Sequence, residues 1–185
     1  MKLAILGSGF ISRFYADSLV AQRRKDTLVS VYSRSEDNAK KFADDYGVPH
    51  YSTSIKECVS HPEVEAVIIG LSNDMHLPAV LEAAAAGKHV LCEKPLARTS
   101  EECSRMIQVA DRCRRVLATG FNYRFYPSML KARELLDVGT IGELTHVRSY
   151  AGYTAKDHNH EWLHAAEVMG GGALRDNGIH LLDLT

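Results

Sequence analysis

The sequence predicts an α/β fold built on a doubly wound parallel sheet, followed by the beginning of a smaller α+β unit. Three observations predict it. A short apolar run breaks at a glycine turn that opens a helical pattern. Apolar runs of strand length then alternate with helix-length segments, the order that gives a parallel sheet covered on both faces. Finally, a strand-like run (His89-Val90-Leu91-Cys92) ends at Glu93-Lys94-Pro95. That sets a lysine at a strand end, where an open parallel sheet exposes its crevice. Pro95 biases Lys94 to an extended backbone and permits a cis bond, so the side chain is aimed.

The elements follow in order. Leu3-Ala4-Ile5-Leu6 reads as the first strand, and Gly7-Ser8-Gly9-Phe10-Ile11-Ser12 as the turn. Phe14, Ala16, Leu19 and Val20 carry the spacing of an amphipathic helix. Strand, glycine turn and helix together form a phosphate cradle. The first glycine makes the tight turn, the second admits a pyrophosphate, and the helix N-terminus offers unpaired N–H groups. Ser12 stands where a third glycine is usual. Leu28–Tyr32 is read as strand two, Asp37–Tyr46 as a helix closed by Gly47, and Glu65–Leu71 as a buried strand. A helix spans about His76 to Ala86 with Gly87 as its left-handed cap. Ser100 is the expected N-cap of the next helix, with Cys103 where a capping box wants Glu or Gln. Arg112-Cys113-Arg114-Arg115 compensates the dipole at that helix's end, and Val116–Phe121 is the last strand. Residues 1–121 are thus expected to be a Rossmann-type dinucleotide-binding domain.

The end of strand two bears on cofactor choice. A carboxylate there would take the ribose 2′-hydroxyl of NAD, but this chain has Tyr32-Ser33-Arg34-Ser35, its first acid being Glu36. Ser33 and Arg34 suit a 2′-phosphate, which a guanidinium grips with charge-assisted bonds. NADP is therefore expected ahead of NAD.

Residues 122–185 read as the N-terminal part of an α+β substrate and oligomerisation domain. Pro127 begins a helix to about Val138, Gly139 and Gly142 bracket a turn, and Leu144–Tyr150 alternates like a half-buried strand. In Gly170-Gly171-Gly172-Ala173-Leu174-Arg175-Asp176-Asn177-Gly178-Ile179-His180-Leu181-Leu182-Asp183, a helix would set Asp176, His180 and Asp183 on one face. A carboxylate beside an imidazole can raise its pKa and orient it for proton transfer. The glycine run implies a close approach to the backbone.

Bulk properties narrow the function. The 185 residues are 45% hydrophobic with net charge -1, which gives no electrostatic case for nucleic acid or a membrane surface. Cys58, Cys92, Cys103 and Cys113 form no C-x-x-C pair, as expected of reduced thiols in a cytoplasmic protein. The N-terminal apolar run is too short for a signal h-region, and no stretch approaches membrane-spanning length.

Five motifs in this order resemble the Gfo/Idh/MocA oxidoreductases (glucose-fructose oxidoreductase, inositol dehydrogenase, rhizopine catabolism). They are Gly7-x-Gly9, Ser72-Asn73-x-x-His76, Glu93-Lys94-Pro95, Asn122-Tyr123-Arg124-Phe125 and the Gly170-to-Asp183 motif. The resemblance runs from end to end. It implies hydride transfer between a nicotinamide cofactor and a hydroxyl or ketone carbon of a sugar or cyclic polyol. Lys94, Asp176 and His180 would be the catalytic group: Lys94 bonding the reacting oxygen, His180 moving its proton, Asp176 orienting both. Gly7, Gly9, Phe10, Ile11, Ser33, Arg34, Ser72, Asn73, His76, Glu93, Lys94, Asn122 and Arg124 would contact the cofactor, with no metal ligand assigned. Family members are usually much longer, and the full-length form is expected to be a homo-oligomer. The chain stops at Thr185 inside the helix carrying His180, which reads as a fragment or truncation, in which cofactor binding survives better than turnover.

Two rivals stand beside this reading, and a third alternative changes only the substrate, to an imine or dihydrodiol rather than a sugar. His160-Glu161-Trp162-Leu163-His164 matches the zincin pattern H-E-x-x-H, which would make a metallohydrolase, although Glu167 replaces the metzincin glycine. A non-catalytic NADP-binding module or sensor would keep the fold without the chemistry.

Overall fold

The computed structural model describes residues 1–22, 25–152 and 165–185. Six strands, β1 (Lys2–Leu6), β2 (Thr27–Tyr32), β3 (His50–Ser52), β4 (Ala66–Ile69), β5 (His89–Cys92) and β6 (Leu117–Thr119), form one sheet in the order β3-β2-β1-β4-β5-β6. Every ladder is parallel. The chain order reverses between β1 and β4, and there the crevice opens at the strands' C-terminal ends.

Helices cover both faces. α1 (Phe10–Gln22) and α2 (Glu36–Tyr46) pack on one, and α3 (Ile55–Ser60), α4 (His76–Ala85) and α5 (Ser100–Arg112) on the other. Alternation along β1 explains the two cores. Leu3 and Ile5 join Ala16, Leu19 and Phe42, while Ala4 and Leu6 join Val59, Val80 and Met106. Because both faces are covered, β1 and β4 are apolar in nearly every position. Phe14 and Val20 of α1 are exposed, so the buried stripe rests on Ala16 and Leu19.

The helix ends follow local chemistry. Ser35 caps α2 by accepting the Asn38 N–H, and Gly47 ends it at φ 66°. For α5 the cap falls one residue earlier than expected: Thr99, not Ser100, accepts the Glu102 N–H. This puts Glu102, rather than Cys103, at the third helical position, where its carboxylate takes the Arg98 N–H at 3.0 Å. A 3-10 turn (Asn73–Met75) precedes α4. β3 and α3 were not anticipated from sequence.

Beyond residue 121, a 3-10 turn (Asn122–Phe125) leads into α6 (Pro127–Asp137), with Pro127 at its start. Residues 144–150 correct the expectation of a strand: among the described residues they pair with no strand, and Leu144, Val147 and Tyr150 are exposed. Alternation supplies a face, but a ladder also needs a neighbour. α7 (Ala166–Met169), a π-helical turn (Leu174–Gly178) and α8 (Ile179–Asp183) then return to the sheet's crevice end. The H-E-x-x-H segment at 160–164 lies outside the described residues. Among the described residues no helix is long and apolar enough to cross a membrane.

Candidate active site

The ends of five strands build the site. After β1, Gly7 adopts φ 113°, and its N–H donates to the Tyr32 carbonyl at 2.9 Å. A Cβ there would sit 2.5 Å from the Gly70 carbonyl oxygen and 2.9 Å from Ser12 Oγ, so only glycine fits. Gly9 has open space where its Cβ would be, which leaves the backbone approachable from the crevice. Ser12, in place of a third glycine, is buried and donates to the Gly70 carbonyl at 3.4 Å. Gly70 is the compensating residue, since a Cβ on it would lie 2.5 Å from Ser12 Oγ. Phe10 is 83% exposed and Ile11 half-buried at the start of α1.

At the end of β2, Ser33 is buried, its hydroxyl 2.9 Å from that of Ser8 in the glycine turn. Arg34 is exposed and makes no ion pair among the described residues. The cradle's rim thus offers two hydroxyls and an available guanidinium.

After β4 the assignments divide. Ser72 is half-buried at the crevice end. The Asn73 amide is buried and donates to the Met169 carbonyl of α7 at 3.0 Å. His76 has no exposed surface. Its ring lies between the carbonyls of Pro95 (2.9 Å from Nδ1) and Leu71 (3.1 Å from Nε2). Both side chains thus tie crevice loops together. Burial pushes the His76 pKa down despite the carbonyls that favour its charged form.

The end of β5 carries Glu93 and Lys94, and the Lys94-Pro95 bond is cis. Glu93 is nearly buried. Its Oε1 accepts the Tyr15 hydroxyl from α1 at 2.7 Å and its Oε2 accepts the Lys94 N–H at 3.0 Å. Burial and the Glu93 charge push the Tyr15 pKa up, so the phenol stays a donor. Gly120, after β6, makes room for this pair, because its Cβ would lie 2.8 Å from Glu93 Oε1. Tyr15, Gly70 and Gly120 escaped sequence reading. A tyrosine one turn past the glycine turn, and glycines ending two strands, were the signals available.

Lys94 Nζ reaches across to the C-terminal segment. It donates to Asp176 Oδ1 at 2.9 Å and to the Asp176 carbonyl at 3.0 Å. Both side chains keep some solvent contact, 19% and 25%. His180 is buried at the start of α8, stacked on Tyr123 (ring centroids 4.1 Å, interplanar 10°) and edge-on to Phe121. Its Nδ1 finds no hydrogen-bond partner among the described residues. The pKa of His180 moves opposite to the expected direction. Burial and the Lys94 charge push it down, outweighing Asp183 and Asp176, which push it up.

The three-residue face also opens out. The π-helical turn interrupts the spacing, so Asp176 meets Lys94 while Asp183 takes the Arg124 guanidinium in a bidentate pair (Nε to Oδ2, 2.7 Å). Arg124 is thus paired with α8 and lies over the Phe121 ring. Asn122 is exposed. The glycine run does meet a close approach, from within the chain. A Cβ on Gly170 would lie 2.7 Å from Arg98 Cβ, and one on Gly171 2.6 Å from Arg175 Cδ. Arg98 also donates to the Glu167 carbonyl at 2.9 Å, and Arg175 donates to the Arg98 carbonyl.

A glycine-turn cradle after β1 and the Lys94–Asp176 pair after β5, both at the crevice end of a 3-2-1-4-5-6 sheet, coincide with the family matches. Residues 1–121 match the oxidoreductase family with an NAD-binding Rossmann fold, and residues 129–185 match the GFO/IDH/MocA C-terminal domain. The chain belongs to the Gfo/Idh/MocA oxidoreductase family. It is 33% identical over 182 residues to 1,5-anhydro-D-fructose reductase of Ensifer adhaerens (98% of this chain, 54% of the relative). It is 32% identical over 183 residues to trans-1,2-dihydrobenzene-1,2-diol dehydrogenase of Bos taurus (98% and 54%). Scyllo-inositol dehydrogenase of Lactobacillus casei, solved with bound NAD(H) and scyllo-inositol, superposes with TM-score 0.89 at 28% identity, covering 100% of this chain and 54% of that one. The chain therefore spans about half the length of the relatives it matches.

Proposed function

We propose that this chain carries the cofactor cradle and the reacting side chains of an NAD(P)-dependent oxidoreductase acting on a hydroxyl or ketone carbon of a sugar or cyclic polyol. The observation that carries the proposal is the meeting of Lys94 with Asp176 at 2.9 Å, across 82 residues, at the crevice end of the sheet. Relatives named as sugar, anhydro-sugar and inositol enzymes support the substrate class.

The residues present fit a dinucleotide. Gly7 and Gly9 leave a cradle that side chains would fill, and the start of α1 faces it. Gly7, Gly9, Phe10, Ile11 and Ser72 would hold the phosphates and nicotinamide side. Bound there, the cofactor supplies or accepts the hydride. Ser33 and Arg34 favour a 2′-phosphate, hence NADP over NAD.

In this reading Lys94 donates a hydrogen bond to the reacting oxygen and stabilises the negative charge that develops on it. Asp176 holds the ammonium in place. His180, kept neutral by burial and by Lys94, accepts the hydroxyl proton in oxidation and returns it in reduction. Tyr123 fixes the imidazole plane by stacking. The split into a domain of residues 1–121 and a second beginning at 122, a homo-oligomeric full-length form and a reducing, cytoplasmic setting belong to the same proposal.

The test has two arms. Titration of NADPH and NADH into the chain, followed by nicotinamide fluorescence, should show saturable binding with NADPH tighter. Turnover on a panel of inositols, aldoses and anhydro sugars should be found in the protein that includes this chain. Binding without turnover on any CH–OH compound would favour a non-catalytic sensor. Absence of binding would overturn the proposal.

A further inference from the structure

The end of the sheet opposite the crevice carries a cluster for which the oxidoreductase chemistry has no use. His50 opens β3 at the sheet's edge, His61 follows the last residue of α3, and Glu63 lies two residues on, before β4. Since all strands run parallel, their starting ends share one side of the molecule and the crevice occupies the other. The His50 and His61 rings lie with centroids 4.0 Å apart, tilted by 36°. One ligand atom from each of His50, His61 and Glu63 falls within 4.8 Å of the other two.

We propose that His50, His61 and Glu63 bind one divalent transition-metal ion of the Zn2+ or Ni2+ class, fastening the edge strand β3 to the loop between α3 and β4. Two imidazoles and one carboxylate form a nitrogen-rich borderline set. Mg2+ and Ca2+ instead demand shells of oxygen. Metal–ligand bonds of about 2.1 Å put ligand atoms about 3.4 Å apart, so modest side-chain rotation closes the observed set. His50 and Glu63 are exposed and His61 half-buried, which permits that rotation and leaves remaining coordination positions to water. One local bond already holds two of the ligands near one another: the Glu63 N–H donates to His61 Nδ1 at 3.3 Å. The Lys2 ammonium pairs with the Glu63 carboxylate. The ammonium competes with the metal for that carboxylate, which gives the site a signature of its own: removing the lysine charge should tighten binding.

Equilibrium dialysis of the reduced chain against ZnCl2, and separately NiCl2, with metal counted by elemental analysis, tests this. The expected result is one equivalent bound and a higher melting temperature with metal. Roughly tenfold or greater weakening is expected in His50→Ala and in His61→Ala, and tightening in Lys2→Ala. Excess MgCl2 should not displace the ion. His160→Ala with His164→Ala should leave binding unchanged; if binding is lost there instead, or survives in His50→Ala/His61→Ala, the proposal is overturned. Failure to retain metal also overturns it. Should the alanine variants lose their fold by circular dichroism, Ni2+ broadening of histidine ring resonances in the unmodified chain decides, and it must single out His50 and His61.

Discussion

Lys94→Ala separates the two roles that the structure gives this side chain. The ammonium makes two charge-assisted bonds to Asp176, at 2.9 and 3.0 Å. Such bonds contribute about 1.5–3 kcal/mol each when fully buried. Here the side chains keep 19% and 25% exposure, so water recovers part of the loss. The expected cost is about 1–3 kcal/mol, read from urea unfolding at neutral pH. Removing a donor that stabilises developing charge on oxygen costs about a hundredfold to a thousandfold in turnover. Cofactor affinity should hardly change, because the glycine turn and the end of β2 build the phosphate cradle and Lys94 Nζ bonds to Asp176 instead. The assay is stopped-flow hydride transfer on the protein that includes this chain, with nicotinamide binding measured in parallel. Turnover within a few-fold of the unmodified protein would refute the role in chemistry. A parallel loss of cofactor affinity would mean that Lys94 shapes the cradle rather than the reaction. In a double-mutant cycle with Asp176→Asn, a coupling energy near zero would refute the Lys94–Asp176 pairing.

Other outcomes follow from the same geometry. Arg34→Ala should weaken NADPH binding roughly tenfold while leaving NADH nearly unaffected, checked by fluorescence titration. Gly7→Ala should destabilise the fold by about 3 kcal/mol and abolish dinucleotide binding, since its Cβ would meet the Gly70 carbonyl at a positive φ; chemical denaturation reads the first and titration the second. Phe42→Ala empties a fully buried site under α2 and should cost about 3–5 kcal/mol in the same assay. His76 and His180 both have folded pKa values below the ordinary 6.5. The unfolded chain then binds more protons, so stability is full above about pH 6.5 and falls as pH drops from there through the folded values. Melting temperature against pH should show this decline, and His180→Asn should flatten part of it.

The sheet was legible because its signals are local and repeated. β1, β4 and β5 are apolar runs ending in glycine or in a charged loop, and α2 and α4 end in Gly47 and Gly87 at positive φ. β3 and α3 were not legible, since three residues at an exposed edge and a six-residue helix carry too little periodicity to stand out. Thr99 and Ser100 are both good caps on paper, and with Thr99 in that role Glu102 pairs with Arg98. In the site, Lys94, Asp176 and His180 could be picked out by motif, but their mutual geometry could not. Sequence neighbours suggested that carboxylates would raise the His180 pKa; burial and a lysine 86 positions away reverse the sign. Likewise the partner of Asp183 is 59 residues distant. Arg124 was visible, but the pairing that occupies it was not.

The ammonium that would face substrate is also one of the fasteners holding residues 165–185 against the parallel sheet. Chemistry and assembly therefore share a single side chain. If the C-terminal segment lifts away, Lys94 loses its counter-charge and His180 leaves its aromatic shelf in the same motion, so an opened molecule is also a disarmed one.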